Sequence, residues 1–136
     1  MSKKTDGGVS APVSLLGLFN AGSEEEEICF EQIFEMQQIS IGTETLSIQQ
    51  MAWHPTNANK VWPGTFSLAT FVHQNMEKYM DGKILEIGSA TGALAIYLSK
   101  DFDVTTSDFD DGGEIEANIK HNFISNGINI LSQNSL

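Results

Sequence analysis

The chain has 136 residues, the size of one domain. Its net charge is −11 and its seven cations are all lysines, so it lacks the arginines and basic clusters that nucleic-acid binding favours. No apolar run approaches the roughly 18 residues of a membrane span, and the single cysteine, Cys29, excludes an intramolecular disulfide. These features favour a globular protein in a reducing setting, in the cytoplasm or the nucleus.

Residues 1–30 are predicted to be a flexible acidic segment ahead of the domain. The first part is rich in Gly, Ser and Lys, and four consecutive acids follow, from Glu24 to Glu27. Like charges at this spacing repel one another and favour solvated chain. The domain itself is therefore expected over residues 31–136.

A β-hairpin is predicted over residues 34–51. Two stretches in which apolar and polar residues alternate lie on either side of Gly42–Thr45, which has the composition of a turn. The alternation breaks at Gln37–Gln38, which predicts a bulge there.

A helix is predicted over residues 65–81, because apolar residues recur along it at steps of three and four. Thr65 is the predicted N-cap and Gly82 the predicted stop. Met76 and Tyr79 are expected to be core residues of this helix.

The second half of the chain alternates short apolar runs with amphipathic ones. The predicted elements are a strand at 83–88, a helix at 92–100, a strand at 104–107, a helix opened by residues 111–113 and stopped by Gly127, and a strand at 128–131. A β-α-β-α-β order with short connections indicates a parallel sheet with right-handed crossovers. The expected fold class is therefore α/β, a βαβαβ unit preceded by a hairpin and a helix.

The loop after the first of these strands carries the most specific chemistry. It runs from Glu86 through Gly88, Ser89 and Ala90 to Gly92. It lacks the Gly-x-Gly-x-x-Gly pattern of a dinucleotide site and the Gly-Lys-Ser/Thr of a P-loop. An acid two positions before the first glycine would repel a pyrophosphate. It suits S-adenosylmethionine, which carries an ammonium, a sulfonium and no phosphate.

Asp108 supplies a second carboxylate, 22 residues after Glu86. It ends the second parallel strand, where a carboxylate can accept hydrogen bonds from both hydroxyls of a ribose. Both acids are then expected at the carboxyl edge of the sheet, beside the crevice in which such folds bind ligands. The alternatives are that Glu86 caps the N–H groups of its own loop and that Asp108 is only the acid at a helix start.

The loop and Asp108 together resemble motif I and the second-strand acid of the seven-β-strand S-adenosylmethionine-dependent methyltransferases. The segment from Val61 to Ala69, which contains Trp62, resembles a helix start in one branch of that superfamily. The branch comprises protein-lysine methyltransferases and nicotinamide N-methyltransferase-like proteins. The predicted hairpin and the asparagine-rich stretch 118–128 fit the same branch, so the resemblance covers residues 31–130.

The resemblance implies a cofactor site for S-adenosylmethionine. The implied cofactor-binding residues are Trp62, Glu86, Gly88, Ser89, Ala90, Gly92 and Asp108. In this arrangement the loop backbone contacts the methionine part and Asp108 holds the ribose, whereas ordinary core packing is the alternative for Trp62. Ala90 departs from the family pattern, which usually has glycine at this position.

The resemblance also implies a Rossmann-like sheet of seven strands, of which we expect this chain to hold only the N-terminal half, truncated after the third. The implied function is protein-lysine N-methylation on a protein substrate, with no catalytic base identified. The alternative is a non-catalytic interaction module or inactive fragment that self-associates through an open sheet edge. No metal site is predicted, because no metal-ligand spacing joins His54 to His121.

Overall fold

A computed structural model describes residues 32–110 and 112–130 of the chain. The elements are β1 (Phe34–Ile41), β2 (Glu44–Met51), α1 (Pro63–Gln74), a 3₁₀ helix (Met76–Lys78), β3 (Lys83–Ile87), α2 (Ala93–Leu98), β4 (Asp103–Ser107) and α3 (Glu114–Ser125). The mixed α/β class predicted from the sequence is confirmed. The segment predicted to be flexible, residues 1–30, lies outside the described residues.

Strands β1 and β2 form the predicted antiparallel hairpin. They pair without interruption from end to end, so the bulge predicted at Gln37–Gln38 is wrong. Both glutamines lie in the part of β1 whose side chains are exposed. A polar residue is tolerated on either face of this exposed end of the strand. The break in the alternation of apolar residues therefore does not require a shift in the register of β1 against β2.

One hydrophobic core joins the hairpin to helices α1 and α2. Its buried side chains are Ile41, Leu46, Ile48, Ala69, Val72, Ala93, Leu94, Ile96, Leu98 and Phe102. Met76 and Tyr79 pack against this core, as predicted, and both are partly buried.

Helix α1 begins and ends earlier than its apolar pattern predicts. The predicted N-cap, Thr65, is wrong, because the helix starts at Pro63 and Trp62 takes the extended N-cap conformation. Proline suits the first helical position and holds the residue before it extended. The helix ends at Gln74, and the Nδ2 of Asn75 donates to the carbonyl of Phe71 at 2.8 Å. A separate 3₁₀ turn therefore carries Met76.

Strands β3 and β4 pair in parallel, with Ile87 opposite Ser107 at their carboxyl ends. One face of this pair contributes Ile84 and Val104 to the core. The other face presents Leu85, which is 60% exposed, and Ile87, which is 81% exposed. The parallel pair is thus covered on one face only by the part of the chain that the structure describes.

The third strand predicted at 128–131 is not found in the described residues. Ile128–Ile130 form no strand, and residue 131 lies outside the description. Gly127, the predicted stop of α3, has a φ of +75° and lets the chain turn back. The N–H of Ile128 then donates to the carbonyl of Phe123 at 3.0 Å, which closes the helix end instead of starting a strand.

Asparagines of α3 and of its C-cap cover the edge of β2 that does not pair with β1. The carboxamide of Asn126 accepts from Ser47 N at 2.9 Å and donates to Ser47 O at 2.8 Å. The carboxamide of Asn122 accepts from Gln49 N at 2.7 Å and donates to Gln49 O at 3.0 Å. An amide side chain offers the donor and acceptor of a peptide, so α3 continues the hydrogen bonding of the hairpin. The free edge of β2 is thereby satisfied.

No helix within residues 32–110 and 112–130 combines the length and the apolar character needed to cross a membrane.

Truncation of a buried and of an exposed side chain of the hairpin is expected to change the stability of the protein by very different amounts. Ile48→Ala removes a fully buried side chain and is expected to lower the free energy of unfolding by about 2–5 kcal/mol. Met36→Ala removes a side chain that is 52% exposed and is expected to change it by less than about 0.5 kcal/mol. Urea denaturation of both variants measures the difference, and equal losses would contradict the assignment of the buried face.

Candidate functional site

The loop between β3 and α2 passes three times through the left-handed region of backbone conformation. Gly88, Ala90 and Gly92 have φ values of +75°, +49° and +76°. Glycine adopts these values without steric penalty, whereas Ala90 is strained there by about 1–2 kcal/mol. Other contacts must therefore hold the loop in this conformation.

The end of β4 holds the first part of the loop. The carbonyl of Ser107 accepts from Gly88 N at 2.8 Å and from Ser89 N at 3.2 Å. The buried hydroxyl of Ser89 lies 3.2 Å from the carbonyls of Glu86 and Ser107 and accepts the N–H of Ser107 at the same distance. The hydroxyl and the backbone N–H of Ser89 are thus both hydrogen-bonded within the protein, and this residue holds the loop together.

Asp108 holds the middle of the loop. Its Oδ2 accepts from Ala90 N at 2.6 Å, and its Oδ1 accepts from Phe109 N at 2.7 Å. A carboxylate offers about four acceptor positions, so each oxygen retains one for a further donor. The sequence placed Asp108 near the loop through the parallel register of β3 and β4, and the structure brings the two into direct contact.

Asp108 is not the acid that starts α3. That part is taken by Asp110, whose carboxylate accepts from the N–H groups of Gly113 and Glu116, each at 2.8 Å. Free N–H groups at a helix start are commonly satisfied in this way. The alternative assignment of Asp108 as a helix-start acid is therefore not favoured by the structure.

Glu86 is a carboxylate held largely away from water. Burial raises its pKa to about 7, the negative Asp108 adds to that rise, and the hydroxyl of Ser89 and the N–H of Ala95 oppose it. Its Oε2 is buried and has no hydrogen-bond partner among the described residues. A buried acceptor without a partner is costly to the fold, and a cationic donor placed there would relieve that cost.

The two glycines of the loop differ in their surroundings. A Cβ at Gly92 would lie 3.2 Å from Ile119 and 3.3 Å from Phe123, because α3 packs directly against it. A Cβ at Gly88 would meet no atom of the described residues within 4 Å. The loop is therefore fixed by α3 at its helix end and leaves open space beside Gly88.

Trp62 reaches the loop only indirectly. It is 49% exposed, which does not fit ordinary core packing, and its indole N–H donates to the carbonyl of Asn57 at 3.0 Å. Ala58, which follows Asn57 in the chain, belongs to a small buried cluster that includes Ala90. The structure thus brings six of the seven predicted residues together, and it connects Trp62 to them through the 52–60 segment.

Asn122 is a residue of this region that the sequence did not identify. Its fully buried side chain donates from Nδ2 to the carbonyl of Thr91 in the loop, at 2.9 Å. The signal in the sequence was the spacing of Asn118, Asn122 and Asn126, which places three amides on one helix face.

Other polar groups in the described part of the chain form no comparable site. An open cleft of about 500 Å³ lies between the hairpin and α3, lined by Phe34, Gln49 and His121 among others, and it includes none of the predicted cofactor residues. Among the described residues, no group of three or more His, Cys, Asp or Glu is placed to hold a metal ion. Buried His54 hydrogen-bonds within its own segment, to Thr56 at 2.9 Å.

The raised pKa of Glu86 predicts a pH-dependent stability. The pKa of this carboxyl rises from 4.5 to about 7 on folding. Its contribution to the free energy of unfolding is therefore fully present below pH 4.5 and is lost as the pH rises through 7. Glu86→Gln is therefore expected to match wild type near pH 4.5 and to exceed its unfolding free energy by about 1–3 kcal/mol at pH 8. Urea denaturation across this range measures it, and parallel pH curves would contradict it.

The comparison with known proteins bears on the whole of this region. A sequence profile of the family described as lysine methyltransferase matches residues 41–133, which is more than half of the chain. The match includes β2, the loop, Asp108 and α3. No curated protein matches the chain. The mixed α/β fold is that of part of a Rossmann-like methyltransferase, and the chain belongs to the lysine methyltransferase family.

Proposed function

We propose that this chain binds S-adenosylmethionine at the β3–α2 loop and serves in the methylation of protein lysine. The observation that carries the proposal is the buried Oε2 of Glu86, which has no hydrogen-bond partner among the described residues and lies two residues before Gly88. The ammonium of a methionine moiety is a small cationic donor that could supply the hydrogen bond missing at this oxygen. The family match supports the same cofactor.

The remaining residues fit the other parts of that cofactor. Asp108 retains acceptor positions for two ribose hydroxyls while it holds Ala90. The open side of Gly88 allows a ligand to approach the backbone closely. When bound, the cofactor would supply a methyl group activated by the sulfonium, for transfer to a neutral amine with the thioether as leaving group. The residues described here orient the donor and exclude water from one side of it.

A lysine-bearing protein is the substrate class that the chain supports best. The family match indicates lysine as the methyl acceptor. The net charge of −11 would favour the approach of a basic protein segment. A cytoplasmic or nuclear location, and the expectation that this is a truncated form of the enzyme, stay predictions.

Replacement of Asp108 tests the cofactor site. Asp108→Asn keeps an oxygen for the Ala90 N–H but removes the charge from the ribose contacts, each worth about 1.5–3 kcal/mol. We expect wild type to bind S-adenosylhomocysteine in calorimetry and the variant to bind about 10–100-fold more weakly.

Asp103→Asn is the matched control, because Asp103 lies at the other end of β4, where it pairs with Lys83 on the surface. It is expected to bind as wild type does. Absence of binding by wild type, or equal affinities for all three proteins, would refute the proposed cofactor site.

A non-catalytic interaction module is the second candidate. The exposed side chains of Leu85 and Ile87 favour it, together with the absence of a second strand neighbour for β3 among the described residues. An apolar strand with a free edge is a template for pairing with another chain. A second copy of this chain would pair through that edge.

Sedimentation equilibrium tests this second candidate. Wild type is expected to form dimers that Ile87→Lys disrupts, because a charge on this face opposes burial. Ile124→Lys, at another largely exposed position on α3, is the control and should leave association unchanged. A wild-type monomer at high concentration would exclude association through this edge.

A further inference from the structure

Three asparagines spaced four residues apart, two within α3 and the third at its C-cap, occupy unequal positions. Asn118, Asn122 and Asn126 all reach β2 through their carboxamides. Of the three, only Asn122 also bonds to the β3–α2 loop, through the Thr91 carbonyl at 2.9 Å. Its single carboxamide therefore joins three parts of the fold: the hairpin, α3 and the loop.

The carboxamide oxygen and both amide hydrogens of Asn122 are hydrogen-bonded within the protein. Its Oδ1 accepts from Gln49 N, and the two hydrogens of Nδ2 go to the carbonyls of Gln49 and Thr91. The side chain is completely buried, and Thr91 is nearly so. No water is needed to satisfy these groups, and loss of the amide would leave the Thr91 carbonyl without this donor in a buried site.

The loop needs such a contact because its conformation is not the one its backbone prefers. Ala90 and Gly92 are both left-handed, and Thr91 lies between them. Asp108 holds the loop at the N–H of Ala90, on the side proposed to face the cofactor. Asn122 holds the loop from α3, through the carbonyl of Thr91. This hydrogen bond does not use the Asp108 carboxylate that the ligand is proposed to contact.

We propose that Asn122 is a positioning residue for the cofactor loop, which it ties to strand β2. The inference rests on the proposed function, since it takes the loop to be the cofactor site. It assigns a role to the hairpin as well, because the register of β2 sets the position of Gln49 and so the orientation of the amide. The hairpin then influences cofactor affinity without touching the cofactor.

The test compares Asn122→Ala with Asn126→Ala. Both variants remove a carboxamide that pairs with a β2 residue, but only the first releases the loop. We expect Asn122→Ala to weaken S-adenosylhomocysteine binding about tenfold and to speed amide hydrogen exchange at Ala90 and Gly92 by a similar factor. Asn126→Ala is expected to lose stability and to leave affinity and loop exchange as in wild type.

Each outcome decides a separate point. Equal effects of the two variants on affinity and on loop exchange would overturn the role of Asn122. If wild type does not bind the ligand, the proposed function fails, and the hydrogen-exchange comparison still decides whether Asn122 holds the loop.

If Asn122→Ala does not fold, nuclear magnetic resonance of wild type replaces the comparison. The carboxamide signals of Asn122 should shift on addition of S-adenosylhomocysteine and those of Asn126 should not. Shifts of neither or of both would overturn the inference.

Discussion

The structure depends on a loop that must be held in a conformation its backbone does not favour. Gly88, Ala90 and Gly92 are all left-handed within five residues. Contacts from two other elements hold them: the end of β4, through Ser107 and Asp108, and α3, through Asn122. A strained segment persists only where its surroundings over-determine it, and such segments concentrate at binding sites.

The charges around this loop have a consistent logic. Asp108 accepts hydrogen bonds from two backbone N–H groups, whereas one buried oxygen of Glu86 has no partner in the part of the chain that the structure describes. Burial raises the pKa of Glu86 and the negative Asp108 adds to that rise, so a bound cation would offset the cost of ionising Glu86. The pair thus favours a ligand with a positive end and hydroxyl donors and disfavours a phosphate.

Several local features could be predicted from sequence because they depend on a few neighbouring residues. The hairpin turn, the parallel β3–β4 pair and the glycine stop of α3 follow from periodicity and turn composition. The failed predictions have different causes. The bulge at Gln37 required knowledge of burial, because that end of β1 is exposed, whereas the start of α1 is set locally by Pro63.

The sequence by itself determined the family-level chemistry: a strand, an acid, a glycine loop and a second acid at the spacing of one βαβ unit. Such patterns are local, and the parallel register brings their ends together without further information. Only the tertiary structure decided what holds the loop, because Asn122 is 31 residues from Thr91 and its buried amide acquires a role only when α3 packs beside β2. It also decided that the Ser89 hydroxyl is hydrogen-bonded within the protein and that Oε2 of Glu86 has no partner among the described residues, since burial and hydrogen-bond partners are properties of packing.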